Sequence, residues 1–75
     1  MKNLGKKDFL KAFGDNLRKV RILKGYTQEQ LANDLNIEIS QISRIERGVI
    51  NTSIVNIYSI SKVLEVDIIE LFSFK

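Results

Sequence analysis

The 75-residue chain contains no cysteine, no histidine and no proline. The absence of cysteine excludes disulfide bonds, thiolate zinc sites and a cysteine nucleophile. The absence of histidine removes the most common general base and the most common metal ligand. The sequence also lacks a glycine-rich phosphate loop and a clustered pair of carboxylates. We therefore expect a protein that is not an enzyme and binds no metal, cofactor or small-molecule ligand.

Long apolar segments are also missing, because no run approaches the roughly 20 residues that cross a bilayer. The N-terminus is polar and basic, without the apolar core of a signal peptide. We expect a cytoplasmic protein without a membrane partner. A chain of this length predicts a single domain, 1–75, with a thin core that needs efficient helix packing or oligomerisation.

The net charge of +3 is unevenly distributed along the chain. Residues 1–25 hold eight Lys/Arg and two Asp, a net charge of +6, whereas residues 26–75 hold four Lys/Arg and seven Asp/Glu, a net charge of −3. A moderate basic excess suits a polyanionic partner, and a solvated basic helix face explains it equally well. Charge alone leaves both interpretations open.

Apolar residues recur mostly at three- and four-residue steps, which predicts helices and disfavours strands. The first predicted helix covers about 7–24 and ends before Gly25, a residue suited to a left-handed C-terminal cap. The second begins after Thr27, because Thr27 and Gln30 have the spacing of a capping box. Its buried side includes the small residue Ala32.

Three further helices complete the predicted fold. The third covers about 39–47, and the fourth begins near Ser53, a good cap residue. The fifth is short and is capped by Asp67, with Glu70 three residues later. The fold class is therefore predicted to be all-α, a compact five-helix bundle that includes a helix-turn-helix.

The strongest functional signal is the pair of helices joined by a tight turn at Asn36 and Ile37, where asparagine tolerates the left-handed conformation that such a turn needs. Two helices that cross at roughly 90–120° must approach closely near the turn, which the small Ala32 permits. Because Ile42 and Ile45 point inward from the third helix, its opposite face carries polar side chains. These outward residues are Ser40, Gln41 and Arg44.

The outward side chains match the edges of bases. Glutamine pairs with adenine through two hydrogen bonds, and arginine pairs with guanine in the same way. Serine can form a hydrogen bond with either base. Gln28 heads the preceding helix, and free backbone N–H groups at a helix N-terminus bind phosphate. The pattern therefore predicts that one helix grips the DNA backbone while the next enters the major groove.

Three segments carry a resemblance to a known family. Residues 28–32 (QEQLA) and 42–48 (ISRIERG), with the closing segment 64–72, resemble the lambda-repressor-like (Cro/C1, XRE-type) helix-turn-helix family. The resemblance covers about residues 13–72 and implies a helix-turn-helix core at about 27–48. It implies a transcriptional repressor or autoregulator that binds near-palindromic double-stranded DNA as a homodimer.

The resemblance also implies roles for individual residues. Arg21 and Glu46 match a partly buried ion pair that ties the first helix to the third. Gln28 matches a phosphate-contacting residue, and the loop at Asn51 and Thr52 matches one that touches the sugar-phosphate backbone. The complete set of predicted DNA-contacting residues is Gln28, Glu38, Ile39, Ser40, Gln41, Ser43, Arg44, Asn51 and Thr52.

Four positions depart from the family pattern. Glu38 stands where Ser or Thr usually caps the recognition helix, and it could accept from cytosine N4 or repel a nearby phosphate. Ile39 replaces a polar residue and favours contact with a thymine methyl group. Thr52 stands where Pro is common, and Glu65 stands where Gly is common. Glu38 and Ile39 leave the recognised DNA sequence open.

The C-terminal segment holds more apolar residues than one face of a short helix can bury. A surplus apolar face predicts a subunit interface, here formed by a dimerisation helix at 67–73. The alternative is that Phe74 folds back onto Phe9 or Phe13. A dimer would present two recognition helices to half-sites about 34 Å apart. The predicted interface residues are Ile68, Ile69, Phe72 and Phe74.

One other functional class remains open, that of a protein acting mainly through protein–protein contacts. The same fold serves antitoxins and adaptors that act mainly through protein–protein contacts, and Glu38 and Ile39 are compatible with such a role. A regulator without a ligand-binding domain also suits three settings: a restriction–modification controller, an antitoxin, or a phage-type repressor. The sequence does not choose among them.

Overall fold

The computed structural model describes residues 5–74, which form four α-helices and a closing 3-10 helix. The all-α prediction is confirmed, and no strand occurs between residues 5 and 74. The fifth predicted helix is a 3-10 helix of five residues. The elements are α1 (Lys6–Leu23), α2 (Gln28–Leu35), α3 (Ile39–Glu46), α4 (Ile54–Leu64) and the 3-10 helix (Ile68–Phe72).

Local sequence determines where α2 and α4 begin. The Thr27 hydroxyl accepts a hydrogen bond from the Gln30 N–H (3.0 Å), and the Gln30 side chain accepts one from the Thr27 N–H (2.8 Å). The predicted capping box is therefore confirmed. The Ser53 hydroxyl accepts from the Asn56 N–H (3.1 Å) at the start of α4. Asn36 ends α2 in the left-handed conformation, with φ of 58°.

The predicted cap at Asp67 is wrong in its chemistry. The Asp67 side chain makes no cap hydrogen bond; its backbone carbonyl instead accepts from the Glu70 N–H (2.9 Å) in the tighter 3-10 pattern. A tertiary contact supports this segment, because the Asn16 side chain of α1 donates to the carbonyls of Glu70 (2.9 Å) and Leu71 (3.0 Å). The closing helix is therefore attached to α1 through its backbone.

The core lies where all five elements meet. Leu71 of the 3-10 helix is fully buried in the same apolar cluster as residues of α1 to α4, and the 3-10 helix packs mainly against α1 and α4. None of the helices within residues 5–74 has the length and apolar character to cross a membrane. The buried apolar residues are Phe13, Leu17, Leu31, Ala32, Ile42, Ile45, Ile60, Leu64 and Leu71.

Two aromatic pairs attach the C-terminus to α1. The ring of Phe74 lies 5.7 Å from that of Phe9, and the ring of Phe72 lies 5.0 Å from that of Phe13, measured between centroids. Such tilted pairs are favourable beyond their buried area. Phe74 thus folds back onto Phe9, which is the alternative that the sequence left open. Ile69, by contrast, is 70% exposed.

A close approach between α1 and the end of α3 positions the helix-turn-helix. Gly14 of α1 is buried, and a Cβ atom there would lie 2.5 Å from the carbonyl oxygens of both Ile45 and Glu46. Only glycine allows this approach without a backbone shift. The C-terminal end of α3 is therefore pressed against α1, while Ile39 and Ser40 at its N-terminal end are exposed.

Candidate nucleic-acid interface

Helix α3 has two faces of opposite character. Ile42, Ile45 and Glu46 are buried. Ile39, Ser40, Arg44 and Arg47 are exposed, and Gln41 and Ser43 lie half-buried at the two edges. The outward face predicted from the spacing is therefore present, although Gln41 is less accessible than Ser40 or Arg44. Side chains that can bond base edges project from a helix whose other side is held rigidly in the core.

Arg47 belongs to the same outward face and was missed by sequence reasoning. It is exposed, and its Nε donates to the Ser43 hydroxyl at 3.3 Å. A signal was available, because Arg47 follows Ser40 by seven residues and Ser43 by four, spacings that place residues on one helix face. The polar stripe of α3 therefore continues to the residue that ends the helix.

Glu38 precedes α3 and adopts an extended conformation there. Its side chain makes no cap hydrogen bond, in keeping with the poor capping ability of glutamate. It is exposed, as is the neighbouring Ile39 at 47%. The first turn of the helix is thus available for contact with a partner.

The N-terminus of α2 offers backbone donors beside this face. The cap uses the Gln30 N–H, and the first intrahelical bond runs from the Leu31 N–H to the Thr27 carbonyl (3.1 Å). The N–H groups of Gln28 and Glu29 precede that bond, so they remain available to water or to an anion. The helix dipole adds a partial positive charge at the same end.

A buried hydrogen-bond network joins α1, α2 and α3. Arg21 donates to the Glu46 carboxylate from Nε (2.6 Å) and Nη2 (3.1 Å), so the predicted ion pair is present. A third Arg21 donor, Nη1, bonds the Tyr26 carbonyl (2.8 Å) in the α1–α2 loop. The Gln28 amide also donates to Glu46 (3.0 Å), a contact that the sequence did not predict. Glu46 therefore holds the first side chain of α2 beside α3.

The loop between α3 and α4 contains the remaining predicted contact residues. Asn51 is exposed and lies beside Lys6 and Leu10 of α1. Thr52 is half-buried, and its hydroxyl accepts from the Asn56 side chain (3.1 Å). Asn51 is therefore the more accessible of the two, while Thr52 ties the loop to the first turn of α4.

The surface presents side chains that can bind a partner, whereas residues 5–74 contain no metal-binding cluster. Over residues 5–74, no three His, Cys, Asp or Glu side chains come close enough together to form a metal site. Every buried side-chain nitrogen or oxygen in that range has a hydrogen-bond partner. Within the described residues, the side-chain polar groups without a hydrogen-bond partner therefore lie at the surface.

The fold and this surface define a helix-turn-helix protein. The family model of the helix-turn-helix domain (HTH_3) matches residues 17–71, which is well over half of the chain. The chain belongs to this family. The similar proteins include regulators of transcription, and the chain is a DNA-binding regulator of transcription, not an enzyme.

Two control proteins are similar to this chain over most of its length. The chain is 41% identical to the control protein C.BamHI of Bacillus amyloliquefaciens over 63 residues, which is 83% of this chain and 78% of the relative. The crystal structure of the restriction–modification controller protein C.AhdI from Aeromonas hydrophila superposes with a TM-score of 0.79 at 40% identity, covering 87% of this chain and 97% of C.AhdI.

A third similar structure contains DNA. The biofilm master regulator SinR, solved in complex with DNA, superposes with a TM-score of 0.75 at 32% identity. The match covers 81% of this chain and 98% of the SinR chain in that structure. All three similarities extend over most of the chain, so they concern the whole fold and not an isolated motif.

Proposed function

We propose that the chain is a restriction–modification controller-type regulator that binds a near-palindromic DNA operator as a homodimer. The observation that carries the proposal is the outward face of α3, where Ser40 and Arg44 are exposed on a helix fixed by its other side. The similarity to two controller proteins supports the biological setting. In this role the chain acts in the cytoplasm as one domain, 1–75, and represses or autoregulates transcription.

The proposed recognition extends along the outward face of α3 as far as Arg44 in the last turn, and it begins at the N-terminal end. In helix-turn-helix proteins that end of the second helix contacts base edges in the major groove. Here it is the accessible end, because the Gly14 contact presses the other end against α1. Arg44 bonds a guanine, Ser40 and Gln41 complete the polar contacts, and Ile39 packs on a thymine methyl.

The proposed backbone contacts come from the flanks of α3. The free N–H groups at the start of α2 bind one phosphate, and the remaining amide hydrogen of Gln28 donates to the same group. Asn51 and Thr52 contact the sugar-phosphate backbone from the loop after α3. Such contacts fix the register of the protein on the duplex, while the base contacts carry the sequence information.

The proposed dimer interface is centred on the 3-10 helix. Ile69 is 70% exposed. Ile68, Phe72 and Phe74, which are close to it in the sequence, are half-buried. The rings of the two phenylalanines pack inside the protomer, so Ile69 contributes the largest new burial. Fully burying such a side chain is worth about 1.5–3 kcal/mol.

Selection of bound sites from random double-stranded DNA tests the proposed function. We expect enrichment of a near-palindrome with two half-sites whose centres lie about 10–10.5 base pairs, or one helical turn, apart. No enrichment above the starting pool would overturn the proposal. The genes beside this one provide a second check, because a methyltransferase and an endonuclease are expected there.

Sedimentation velocity of Ile69→Asp tests the dimer. A charge in an apolar interface is unfavourable, so we expect the variant to sediment more slowly than the wild type and to dissociate at higher concentration. Ile22→Asp is the matched control, because Ile22 is 54% exposed at the far end of α1. A dimer that withstands Ile69→Asp but not Ile22→Asp would place the interface elsewhere.

A protein-interaction adaptor is the second candidate function. The exposed Ile39 and Glu38 at the start of α3 favour it, because an apolar and an acidic side chain suit a protein surface better than a phosphate backbone. The site selection separates the two candidates, since an adaptor enriches no DNA sequence.

A further inference from the structure

A surface groove lies on the α1 side of the recognition helix, where it adjoins the predicted DNA contacts Gln28 and Ser43. One wall is α1, with Lys11, Asp15 and Arg18 at helical spacings of four and three. The other wall is formed by Ser43 and Arg47 of α3. The full lining is Lys11, Asp15, Arg18, Gln28, Ser43, Glu46, Arg47 and Val49.

The groove is basic in the places that a ligand can reach. Arg18 is exposed and makes no side-chain hydrogen bond or ion pair with any residue in 5–74. Arg47 uses Nε for Ser43, which leaves the four N–H donors of its two terminal nitrogens for another acceptor. Arginine presents its donors in a planar fork that matches phosphate oxygens. Two such forks face one groove.

The acidic residues of the groove are already engaged. Glu46 accepts from Arg21 and from Gln28 and is buried. Asp15 is paired with Lys11 at 2.8 Å and 3.1 Å. Arg21 compensates the buried Glu46, and Lys11 offsets only part of the charge of the exposed Asp15, so the groove keeps a net positive charge from Arg18 and Arg47.

The groove is continuous with the phosphate-binding end of α2, because Gln28 lines both. Arg47 lies seven residues beyond Ser40, which corresponds to about 10 Å along the axis of α3. When the N-terminal end of such a helix reads bases, its last residue lies at the edge of the major groove, where the sugar-phosphate chain passes. We therefore expect a DNA strand bound at Gln28 to continue into this groove.

We infer that this groove binds a further phosphate of the DNA backbone, held jointly by Arg18 and Arg47. The inference rests on the proposed function and adds a backbone contact outside the predicted set. Asp15 limits the strength of this site, because it competes for Lys11 and repels phosphate. The contact is independent of DNA sequence, since phosphates carry no base information.

The salt dependence of DNA binding by Arg18→Gln tests the inference. Each phosphate neutralised contributes about 0.9 to the slope of log K against log salt on duplex DNA. We expect Arg18→Gln and Arg47→Gln each to lower that slope, and the double variant to lower it by about 0.9 per protomer bound. Affinity falls by the same factor for the operator and for unrelated duplex. Circular-dichroism melts establish that each variant is folded.

Lys19→Gln is the matched control for Arg18→Gln. Lys19 is the adjacent cation on α1 and is exposed, but it lines a different depression, beside Ala12 and Phe74. We expect its slope to equal that of the wild type. If Arg18→Gln and Arg47→Gln also keep the wild-type slope, or if Lys19→Gln loses as much as they do, the inference is overturned.

Asp15→Asn provides a test of opposite sign. Removing the carboxylate releases Lys11 and removes a repulsive charge, so we expect tighter binding to the operator and to unrelated duplex alike. Asp34→Asn is the control, since Asp34 is exposed on α2 beside Gly25 and Tyr26. Equal affinity changes in the two variants contradict the inference.

Failure of this inference can be distinguished from failure of the proposed function. If the wild type binds no duplex DNA, the proposed function has failed and the phosphate site fails with it. If the wild type selects an operator, but its salt slope is the same with or without Arg18 and Arg47, only the phosphate site is wrong.

Discussion

The two faces of α3 obey different physical constraints. On the inward face, Ile42 and Ile45 fill the core and Glu46 is held by two neighbours. On the outward face, the exposed Ser40 and Arg44 contribute nothing to the core of the protomer. Changes on the inward face therefore act on stability, and those on the outward face act on recognition. Substitutions on each face test this separation.

Glu46→Ala is expected to have the largest effect, and on stability. Removal of one partner from a buried ion pair typically costs about 3–5 kcal/mol, because the other charge is left without compensation. Here the uncompensated charge is Arg21, which is 7% exposed. The measurement is the free energy of unfolding in urea. Glu70→Ala is the control, since Glu70 is exposed and, within residues 5–74, only its backbone atoms make hydrogen bonds.

A loss below about 1 kcal/mol in Glu46→Ala would mean that the inward face tolerates an unpaired arginine. The separation of the two faces would then lose its physical basis. Glu46→Gln serves as the intermediate case, because its amide retains the shape and one acceptor but removes the charge.

Arg44→Ala is expected to have the next largest effect, and on DNA binding alone. Loss of a good base contact costs roughly 1–3 kcal/mol of specific affinity, and the recognised sequence relaxes at one position of each half-site. The unfolding free energy should change by less than about 0.5 kcal/mol, as for other surface positions. Gel-shift titration and repeated site selection measure the two consequences.

Lys24→Ala is the control for Arg44→Ala, because it removes an exposed cation at the end of α1. An operator affinity that stays unchanged in Arg44→Ala would show that the outward face of α3 does not enter the groove. A large loss of stability in the same variant would show that the two faces are coupled.

Thr27→Ala is expected to have the smallest effect, and on stability. The Thr27 hydroxyl accepts from the Gln30 N–H, and loss of such a cap costs about 1 kcal/mol. For a domain of this size the melting temperature should fall by roughly 4–8 °C. Thr27→Ser keeps the hydroxyl and should melt close to the wild type. The selected DNA sequence should be the same in all three proteins, because Thr27 makes no base contact.

Much of the helix-turn-helix could be predicted because its signals are local. The capping box joins residues three apart, and asparagine favours the left-handed conformation that Asn36 adopts. The outward position of Ser40 and Arg44 follows from helical periodicity. The pairing of Arg21 with Glu46 came instead from the family resemblance. Spacing alone does not bring two residues on different helices together.

The C-terminal segment was predicted less well. A run of apolar residues indicates that these side chains are buried. It does not show whether they pack against their own chain or against a second copy of it. Phe72 and Phe74 are partly used within the protomer, on Phe13 and Phe9, and only Ile69 is largely exposed. The Asp67 cap also failed, because the segment is held by Asn16 and not by its own side chain.

The two faces of α3 show which features depend on the sequence alone and which depend on the tertiary structure. The sequence by itself determined the helices, the cap at Thr27, the turn at Asn36 and the polar character of the outward face, since these depend on interactions within about one helical turn. The tertiary structure decided which distant residues meet. Examples are the Gln28–Glu46 hydrogen bond, the Gly14 approach to α3, and the presence of Arg18 and Arg47 in one groove.

The physical reason is the separation along the chain. Gln28 and Glu46 are 18 residues apart, and Asn16 and Leu71 are 55 apart. Whether such residues meet depends on how whole helices pack, which the residues between them do not encode in any local pattern.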